Sequence, residues 1–466
     1  MNENIPYHSP DEFMFSEFTI HSSIFHKQNK YDYFMISSGT NQFPLSGVWK
    51  ESLHQEITSD YLYRWYTCAE GFQTATRSLK IYEDYLASKG DFFPSHFDNN
   101  ICMTIGGSGA ASLVFDYLKW KYKECDVILV GMNYSLYERL SQKNGFTVIE
   151  LLSTEPDVKL PQISDFKRYH WSSKKKVFIF TNPNNPTGYV YPLDDFRQIV
   201  KYIKSIDGYI VWDKVCDLVI SSKEYAYFEN ILTNNLSWND AVVVNSFSKT
   251  DATAGFRIGY VYGNRELINK ISDIQAGSIM NPPTFPVFAI ALTCMFRCMF
   301  LNRCNKHKQY NETLIRNLFK NIFFYTGAII PPDMCTFAKR LFDDYLQYYD
   351  LYVSEMINNE KIIHTNYLLT LEILKPFISH HSEMHGGFNF CVWFNRPFRI
   401  SELDLVQQLL NSTGVAILTE SAFSTLSRRN GKNYFIRFSA ACNPVEYKRA
   451  VYRMKCFFES GGVFID

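Results

Sequence analysis

The sequence predicts an α/β protein with a large domain, in which helices cover both faces of a mainly parallel sheet, and a smaller α+β domain. Three observations support this fold class. Strand-like and helix-like segments alternate from about residue 57, helical segments dominate after residue 284, and further strand-like segments follow residue 376. The length of 466 residues also favours two domains over one.

The elements of the large domain are predicted from periodicity. An amphipathic pattern that begins near residue 58 closes at Gly90, which favours a helix ending there. Six apolar runs of strand length follow, and helical stretches separate most of them: DVILVG (126–131), FTVIELL (146–152), KVFIFT (176–181), YIVWD (209–213), AVVVNS (241–246) and RIGYVYG (257–263). Strands that alternate with helices are typical of a parallel sheet.

The smaller domain is predicted from the remaining segments. Its strand candidates are HGGFNFCVWF, GVAIL and NYFIRFSA, and its final helix begins at Asn443 and Pro444, a favourable cap and first-turn residue. We predict that the large domain spans residues 56–320. The small domain is predicted to combine residues 1–55 with 321–466.

Composition narrows the classes of partner. The 47 basic and 47 acidic residues cancel, so no overall charge attracts nucleic acid or an anionic membrane. The apolar run 286–301 is short for a membrane span and contains Arg297, which favours a buried helix. The amino terminus shows no secretory signal, and eleven cysteines without a repeating framework indicate reduced thiols. We therefore expect a cytoplasmic protein without a metal site.

Several residues could bind an anion. Residues 105–120 begin with glycines and a serine and then become helical, so the N–H groups of Gly107, Ser108 and Gly109 would face an anion at a helix N-terminus. A tight turn before a helix explains this pattern about as often. Ser246, Ser248 and Arg257 offer further donors.

Three more side chains follow strand candidates. Lys249 comes just after the strand 241–246, Asp213 ends the strand 209–213, and Asn185 lies in a proline-rich loop after the strand 176–181. Taken singly, Asp213 is as well explained as a helix cap or turn residue, and Asn185 as part of a loop. A lysine at the carboxyl end of a strand, close to anion ligands, favours a binding site in an α/β sheet.

Together these residues resemble the fold type I pyridoxal phosphate enzymes, specifically the class I/II aminotransferase group. The resemblance runs from ISSGTNQFP (36–44) to YFIRFSAA (434–441). The intervals also fit: 28 residues from Asn185 to Asp213, 36 from there to Lys249, and eight to Arg257. The resemblance implies a sheet of the seven-stranded type and the cofactor pyridoxal 5'-phosphate.

The resemblance also implies roles. Lys249 would form the imine with the cofactor and later move the substrate α-proton, Asp213 would keep the ring nitrogen protonated, and Asn185 would bond to the ring oxygen. Tyr134 would stack on the ring. The phosphate would be held by Gly107, Ser108, Gly109, Ser246, Ser248 and Arg257.

At the substrate end, Arg437 matches the arginine that grips the α-carboxylate, and Gly39 lies where the N-terminal segment passes over the substrate. Tyr66 matches a tyrosine that reaches the phosphate of a neighbouring subunit, which implies a homodimer with shared active sites. One cofactor-site position departs from the family: Cys216 stands where a tyrosine usually donates to the ring oxygen, and a thiol is a weak donor.

The resemblance implies an enzyme whose substrate is a small molecule, an α-amino acid. The leading function is transfer of the amino group to a 2-oxo acid. Elimination, replacement or cyclisation on the same scaffold is the alternative, because the cofactor supplies chemistry that these reactions share. A decarboxylase and a non-catalytic ligand sensor are weaker alternatives. The sequence shows no helix-turn-helix that a DNA-binding sensor would need.

Overall fold

A computed structural model describes residues 33–58, 66–92, 99–153, 160–218, 227–304, 310–325, 336, 339–340, 342–424, 434–460 and 462–465. Strands β1 to β13 are Phe34–Met35, Asn99–Ile105, Cys125–Val130, Thr147–Leu151, Lys175–Thr181, Gly208–Asp213, Ala241–Ser246, Ile258–Asn264, Ile378–His381, Asn389–Phe394, Val415–Ala416, Leu418–Thr419 and Ile436–Ser439.

Helices surround these strands. Helices α1 to α14 are Gly47–Thr58, Gln73–Ala87, Gly106–Tyr122, Ser135–Lys143, Ile163–Arg168, Leu193–Ser205, Phe228–Asn235, Phe247–Thr250, Arg265–Ser278, Phe288–Cys304, Glu312–Tyr325, Tyr345–Ile373, Glu402–Thr413 and Pro444–Glu459. Short 3₁₀ turns occur at Ala254–Phe256, Lys375–Phe377 and Glu420–Ala422. None of the helices in the described ranges is both long and apolar enough to cross a membrane.

The main sheet has seven strands in the order β2-β8-β7-β6-β5-β3-β4. Neighbouring strands from β7 to β4 pair in parallel, whereas β8 pairs antiparallel with both β2 and β7. Strands β3 and β7 are buried throughout, as their continuous apolar runs predict for a sheet covered on both faces. The predicted α/β class with a mainly parallel sheet is confirmed.

Alternate residues of each strand face two separate cores, because side chains in a strand point in opposite directions. Val127, Val211 and Val244 pack with helices α3, α4 and α9 on one face. Ile128 and Trp212 pack with helices α2, α6 and α10 on the opposite face. The apolar run at 286–301 thus belongs to the buried helix α10, as predicted.

The smaller sheet has the antiparallel order β12-β13-β10-β9 and packs against helices α12 to α14. Strand β1, just before the predicted substrate-covering segment, pairs in parallel with β11 beside this core. The final helix begins as predicted, because the side chain of Asn443 accepts a hydrogen bond from the backbone N–H of Val445 at 2.9 Å. The domain boundaries at 56 and 320 stay a prediction.

Strand β2 was not predicted. Its segment begins with Asn99 and Asn100, which are uncommon in strands, and it pairs antiparallel at the edge of the sheet. The other six strands of the main sheet are the six that the apolar runs indicate, with ends that differ by one residue at most.

Glu56 caps the buried helix α10. Its carboxylate accepts hydrogen bonds from the backbone N–H groups of Val287 at 2.8 Å and Phe288 at 2.6 Å, and the side chain is buried. Glu56→Ala would leave both donors unsatisfied, so we expect a loss of about 2 kcal/mol in unfolding free energy. A lower urea midpoint in unfolding followed by circular dichroism tests this.

Glu51→Ala on the same helix is the matched control. Glu51 forms an exposed ion pair with Arg340, so its removal is expected to change the unfolding free energy by less than about 1 kcal/mol. Equal effects of the two substitutions would contradict the capping role of Glu56.

Candidate active site

A cavity of about 270 Å³ opens at the carboxyl ends of the central parallel strands. Thr181, Asp213 and Ser246, the last residues of β5, β6 and β7, all line it. This is the edge at which α/β sheets bind ligands. Of the residues singled out in the sequence, the cavity brings together Gly39, Gly107, Ser108, Tyr134, Asn185, Asp213, Cys216, Ser246, Ser248, Lys249, Arg257 and Arg437.

Lys249 lies on the one-turn helix α8, directly after β7. The side chain of Ser246 caps this helix by accepting from the N–H of Ser248, and Asn41 donates to the carbonyl of Lys249 at 2.8 Å. Burial lowers the pKa of the Lys249 amine, and the positive charges of Arg437 and Arg257 lower it further. A lowered pKa leaves more of the amine unprotonated, as a nucleophile or base requires.

Asp213 is held at both carboxylate oxygens. Oδ1 accepts from the N–H of Val215 at 2.8 Å, and Oδ2 accepts from the hydroxyl of Tyr137 at 2.6 Å. Burial raises the pKa of Asp213 to about 6, although both donors lower it. The group is therefore ionised at neutral pH, and a desolvated carboxylate favours a cationic partner such as a protonated ring nitrogen.

The residues predicted to bind the phosphate lie around the start of helix α3. Gly106 has φ +66, and a Cβ there would lie 2.6 Å from a guanidinium nitrogen of Arg257. Glycine therefore lets Arg257 approach the helix N-terminus, where Gly107 and Ser108 line the cavity. Ser246 and Ser248 lie beside them. Gly109, predicted to bind the phosphate, does not line the cavity.

Arg437 also lines the cavity. Nη1 donates to Oδ1 of Asn185 at 2.8 Å, Nη2 contacts the carbonyl of Ser37, and the guanidinium lies 4.6 Å from the ring centroid of Phe423. Burial lowers the pKa of Arg437 to about 10, which leaves it charged at neutral pH. Its buried Nε has no hydrogen-bond partner within the described part of the chain.

Gly39 packs directly against this arginine. Its φ is +63, and an added Cβ would lie 3.1 Å from Nη1 of Arg437. Glycine thus allows the segment after β1 to pass close over the guanidinium, in the place predicted for substrate contact.

The cavity lining also includes Tyr134, Asn185 and Cys216. Burial raises the pKa of the Cys216 thiol to about 11, so it is uncharged at neutral pH. Tyr66 does not line the cavity, and its side chain is 83% exposed. Its predicted contact with a second subunit stays a prediction.

Tyr137 and Phe423 are among the lining residues that the sequence analysis did not single out. Tyr137 bonds to Asp213, and Phe423 stacks on Arg437. Tyr137 follows Tyr134 by three residues in a helical segment, and this spacing places both on one helix face. That spacing was the available signal. Phe423 had no comparable signal, since aromatic residues usually fill cores.

The donor set fits pyridoxal 5'-phosphate. The cavity offers an amine for the aldehyde, a carboxylate for the ring nitrogen, and serines, helix N–H groups and an arginine for the phosphate. A second arginine, the buried Arg437, remains for a substrate carboxylate. Within the described residues, no group of three or more histidine, cysteine, aspartate or glutamate side chains could hold a metal ion.

Comparison with known proteins is consistent with this site. The model of the family described as aminotransferase class I and II matches residues 90–454. An aspartate aminotransferase from Bacillus sp. (strain YM-2) is 27% identical over 188 residues, or 40% of this chain and 47% of that protein. A histidinol-phosphate aminotransferase from Methanosphaera stadtmanae is 31% identical over 199 residues, or 40% of this chain and 46% of that protein. The chain thus matches about half the length of these curated relatives.

A solved structure extends the likeness to the whole fold. The crystal structure of an aminotransferase from Mycobacterium tuberculosis aligns with a TM-score of 0.66 over 98% of both chains. The two sequences are 18% identical, so this likeness supports the fold alone.

Proposed function

The chain belongs to the class I and II aminotransferase family, whose members use pyridoxal 5'-phosphate, and on that premise we propose that it transfers the amino group of an α-amino acid to a 2-oxo acid. One observation carries the proposal: Lys249, Asp213 and Arg437 line a single cavity. An amine, a carboxylate and a guanidinium in one place suit the aldehyde, the ring nitrogen and the substrate carboxylate respectively.

When bound, pyridoxal 5'-phosphate supplies an aldehyde that takes up the amino group and a ring that withdraws electrons from Cα. Arg257, Ser246 and Ser248 line the cavity together and would hold the phosphate of the bound cofactor. The carboxylate of Asp213 retains a proton on the ring nitrogen, which strengthens the withdrawal of electrons.

The remaining residues act on the amino acid. Arg437 binds the α-carboxylate through its guanidinium, and its partner Asn185 fixes the orientation of that guanidinium. Nζ of Lys249, whose lowered pKa favours the free amine, would accept the α-proton of the amino acid and later release it. Gly39 lets the segment after β1 pass over the bound substrate.

Exchange of amino groups tests this function. The purified protein with pyridoxal 5'-phosphate is incubated with each common L-amino acid, labelled with ¹⁵N at its amino group, and a 2-oxo acid. Mass spectrometry is expected to show ¹⁵N in the new amino acid that forms from the 2-oxo acid. Release of ammonia with an unsaturated or cyclic product would instead support the elimination or cyclisation alternative. No reaction and no cofactor binding would contradict an enzymatic role.

We also propose a cytoplasmic homodimer with active sites at the interface. Tyr66, Ile105 and Met280 are exposed, and Gln275 ties their segments together by donating to the carbonyls of Ala69 and Met103. An exposed apolar surface next to Gly107 suits contact with a second copy. Light scattering that gives the mass of one chain would contradict this assembly.

A further inference from the structure

Tyr137 is a buried side chain whose contact with Asp213 lies inside the cavity. We propose that Tyr137 is a positioning residue, which rests on the proposed function: it holds the Asp213 carboxylate in the orientation that faces the ring nitrogen of the cofactor. Its hydroxyl lies 2.6 Å from Oδ2 of Asp213. This distance is typical of an O–H donor bonded to an ionised carboxylate.

The helix that carries Tyr137 is fixed at its start. The side chain of Asn133 accepts a hydrogen bond from the N–H of Tyr134 at 3.1 Å and donates one to the carbonyl of Ile179 at 3.4 Å. Ile179 lies near the carboxyl end of strand β5. The N–H of Tyr137 then donates to the carbonyl of Tyr134 at 3.1 Å. The start of α4 is thereby tied to the sheet edge that bears Asp213, and both tyrosines line the cavity.

The phenol ring is anchored as firmly as its hydroxyl. Tyr137 is 1% exposed, and its ring centroid lies 6.2 Å from that of Phe115. Because the N–H of Val215 bonds to the other carboxylate oxygen, the two donors together prevent rotation of the Asp213 side chain. Tyr137 therefore does more than fill the core.

Loss of the hydroxyl has a predictable electrostatic result. Tyr137 donates to the charged form of Asp213, so its removal raises the pKa of that carboxyl above about 6. The other titratable or charged groups around this pair are Cys216, which faces both residues, Tyr134, which faces Tyr137, and Lys249, Arg437 and Asp217, which face Cys216. The Cys216 thiol, with a pKa of about 11, stays uncharged throughout the acid range.

The experiment measures the dissociation constant of pyridoxal 5'-phosphate between pH 5 and 8 for the wild type, Tyr137→Phe and Tyr191→Phe. In the wild type, affinity should fall as pH falls through about 6, because protonated Asp213 no longer pairs with the ring nitrogen. In Tyr137→Phe this fall should begin about one pH unit higher. At pH 6 the variant should bind about fivefold more weakly than the wild type.

Two controls separate this role from a structural one. Tyr191 is also buried and donates to the carbonyl of Pro161 at 2.9 Å, but it does not line the cavity, so Tyr191→Phe should leave the pH profile unchanged. The 1-deaza analogue of the cofactor has carbon in place of the ring nitrogen and should bind wild type and Tyr137→Phe equally at each pH. The pH dependence of its binding then reports the phosphate and the Lys249 amine without the ring nitrogen.

The outcomes are distinct. The measured quantity is the pH at which the affinity for the cofactor falls. The positioning role would be overturned if this pH were the same in Tyr137→Phe as in the wild type, if it rose equally in Tyr191→Phe, or if Tyr137→Phe raised it equally with the deaza analogue. Each of these outcomes would leave the proposed function intact. Failure of the wild type to bind pyridoxal 5'-phosphate at any pH would overturn both.

Discussion

Lys249→Ala is expected to lower kcat for amino transfer by about four orders of magnitude. Lys249 is the amine in the described cavity lining, and its lowered pKa suits both attack on an aldehyde and removal of an α-proton. Among the described lining residues, the Cys216 thiol is neutral and the Arg437 guanidinium stays protonated at neutral pH, so neither suits the second task. The Asp213 carboxylate is already held by Tyr137 and Val215.

The measurement has two parts. Single-turnover rates with a saturating amino acid give the loss in the chemical step, and borohydride treatment followed by peptide mass spectrometry shows whether the cofactor is covalently attached at residue 249. We expect attachment in the wild type and none in Lys249→Ala. Lys201→Ala on helix α6 removes an exposed lysine and should change neither reading. Attachment at another lysine, or a rate within tenfold of the wild type, would contradict the assignment.

The sequence predicts most of this cavity because its chemistry lies at strand ends. Lys249, Asp213 and Asn185 each follow an apolar run, and the carboxyl ends of parallel strands meet at one edge. Ser246, the last residue of β7, also lines the cavity. Gly107 and Ser108 line it at the start of helix α3, whereas Gly109 does not, because successive residues of a helix face different directions. Their contacts with a phosphate stay predictions.

Contacts between distant segments could not be predicted in this way. The Tyr137 hydroxyl meets Asp213 across 76 residues, and Arg437 meets Asn185 across 252. Glu56 caps a helix that begins 232 residues later. Each of these contacts depends on how separate elements pack, whereas periodicity reports only the local conformation and the face that is buried.

Arg437→Lys is expected to lower kcat/KM for the amino donor by about a hundredfold to a thousandfold. Lysine keeps the positive charge but cannot present two parallel N–H groups to a carboxylate, and it loses the planar contact with the ring of Phe423. The hydrogen bond from Arg437 to Oδ1 of Asn185 is also lost. Both the substrate carboxylate and the Asn185 side chain thus lose an N–H donor.

Arg437→Lys should weaken the use of the amino donor without weakening the binding of the cofactor. Arg437 contacts Asn185 and Phe423, whereas Arg257 contacts Ala254 and packs against Gly106. The dissociation constant of pyridoxal 5'-phosphate should therefore change by less than about threefold. Arg396→Lys, which alters an exposed arginine on the same domain, should leave both constants unchanged. If Arg437→Lys weakened cofactor binding as much as it lowered kcat/KM, Arg437 would be supporting the cavity rather than binding the α-carboxylate. An unchanged kcat/KM would show that the α-carboxylate of the substrate binds elsewhere. The buried charge of Arg437, which is costly to keep from water, would then need another explanation.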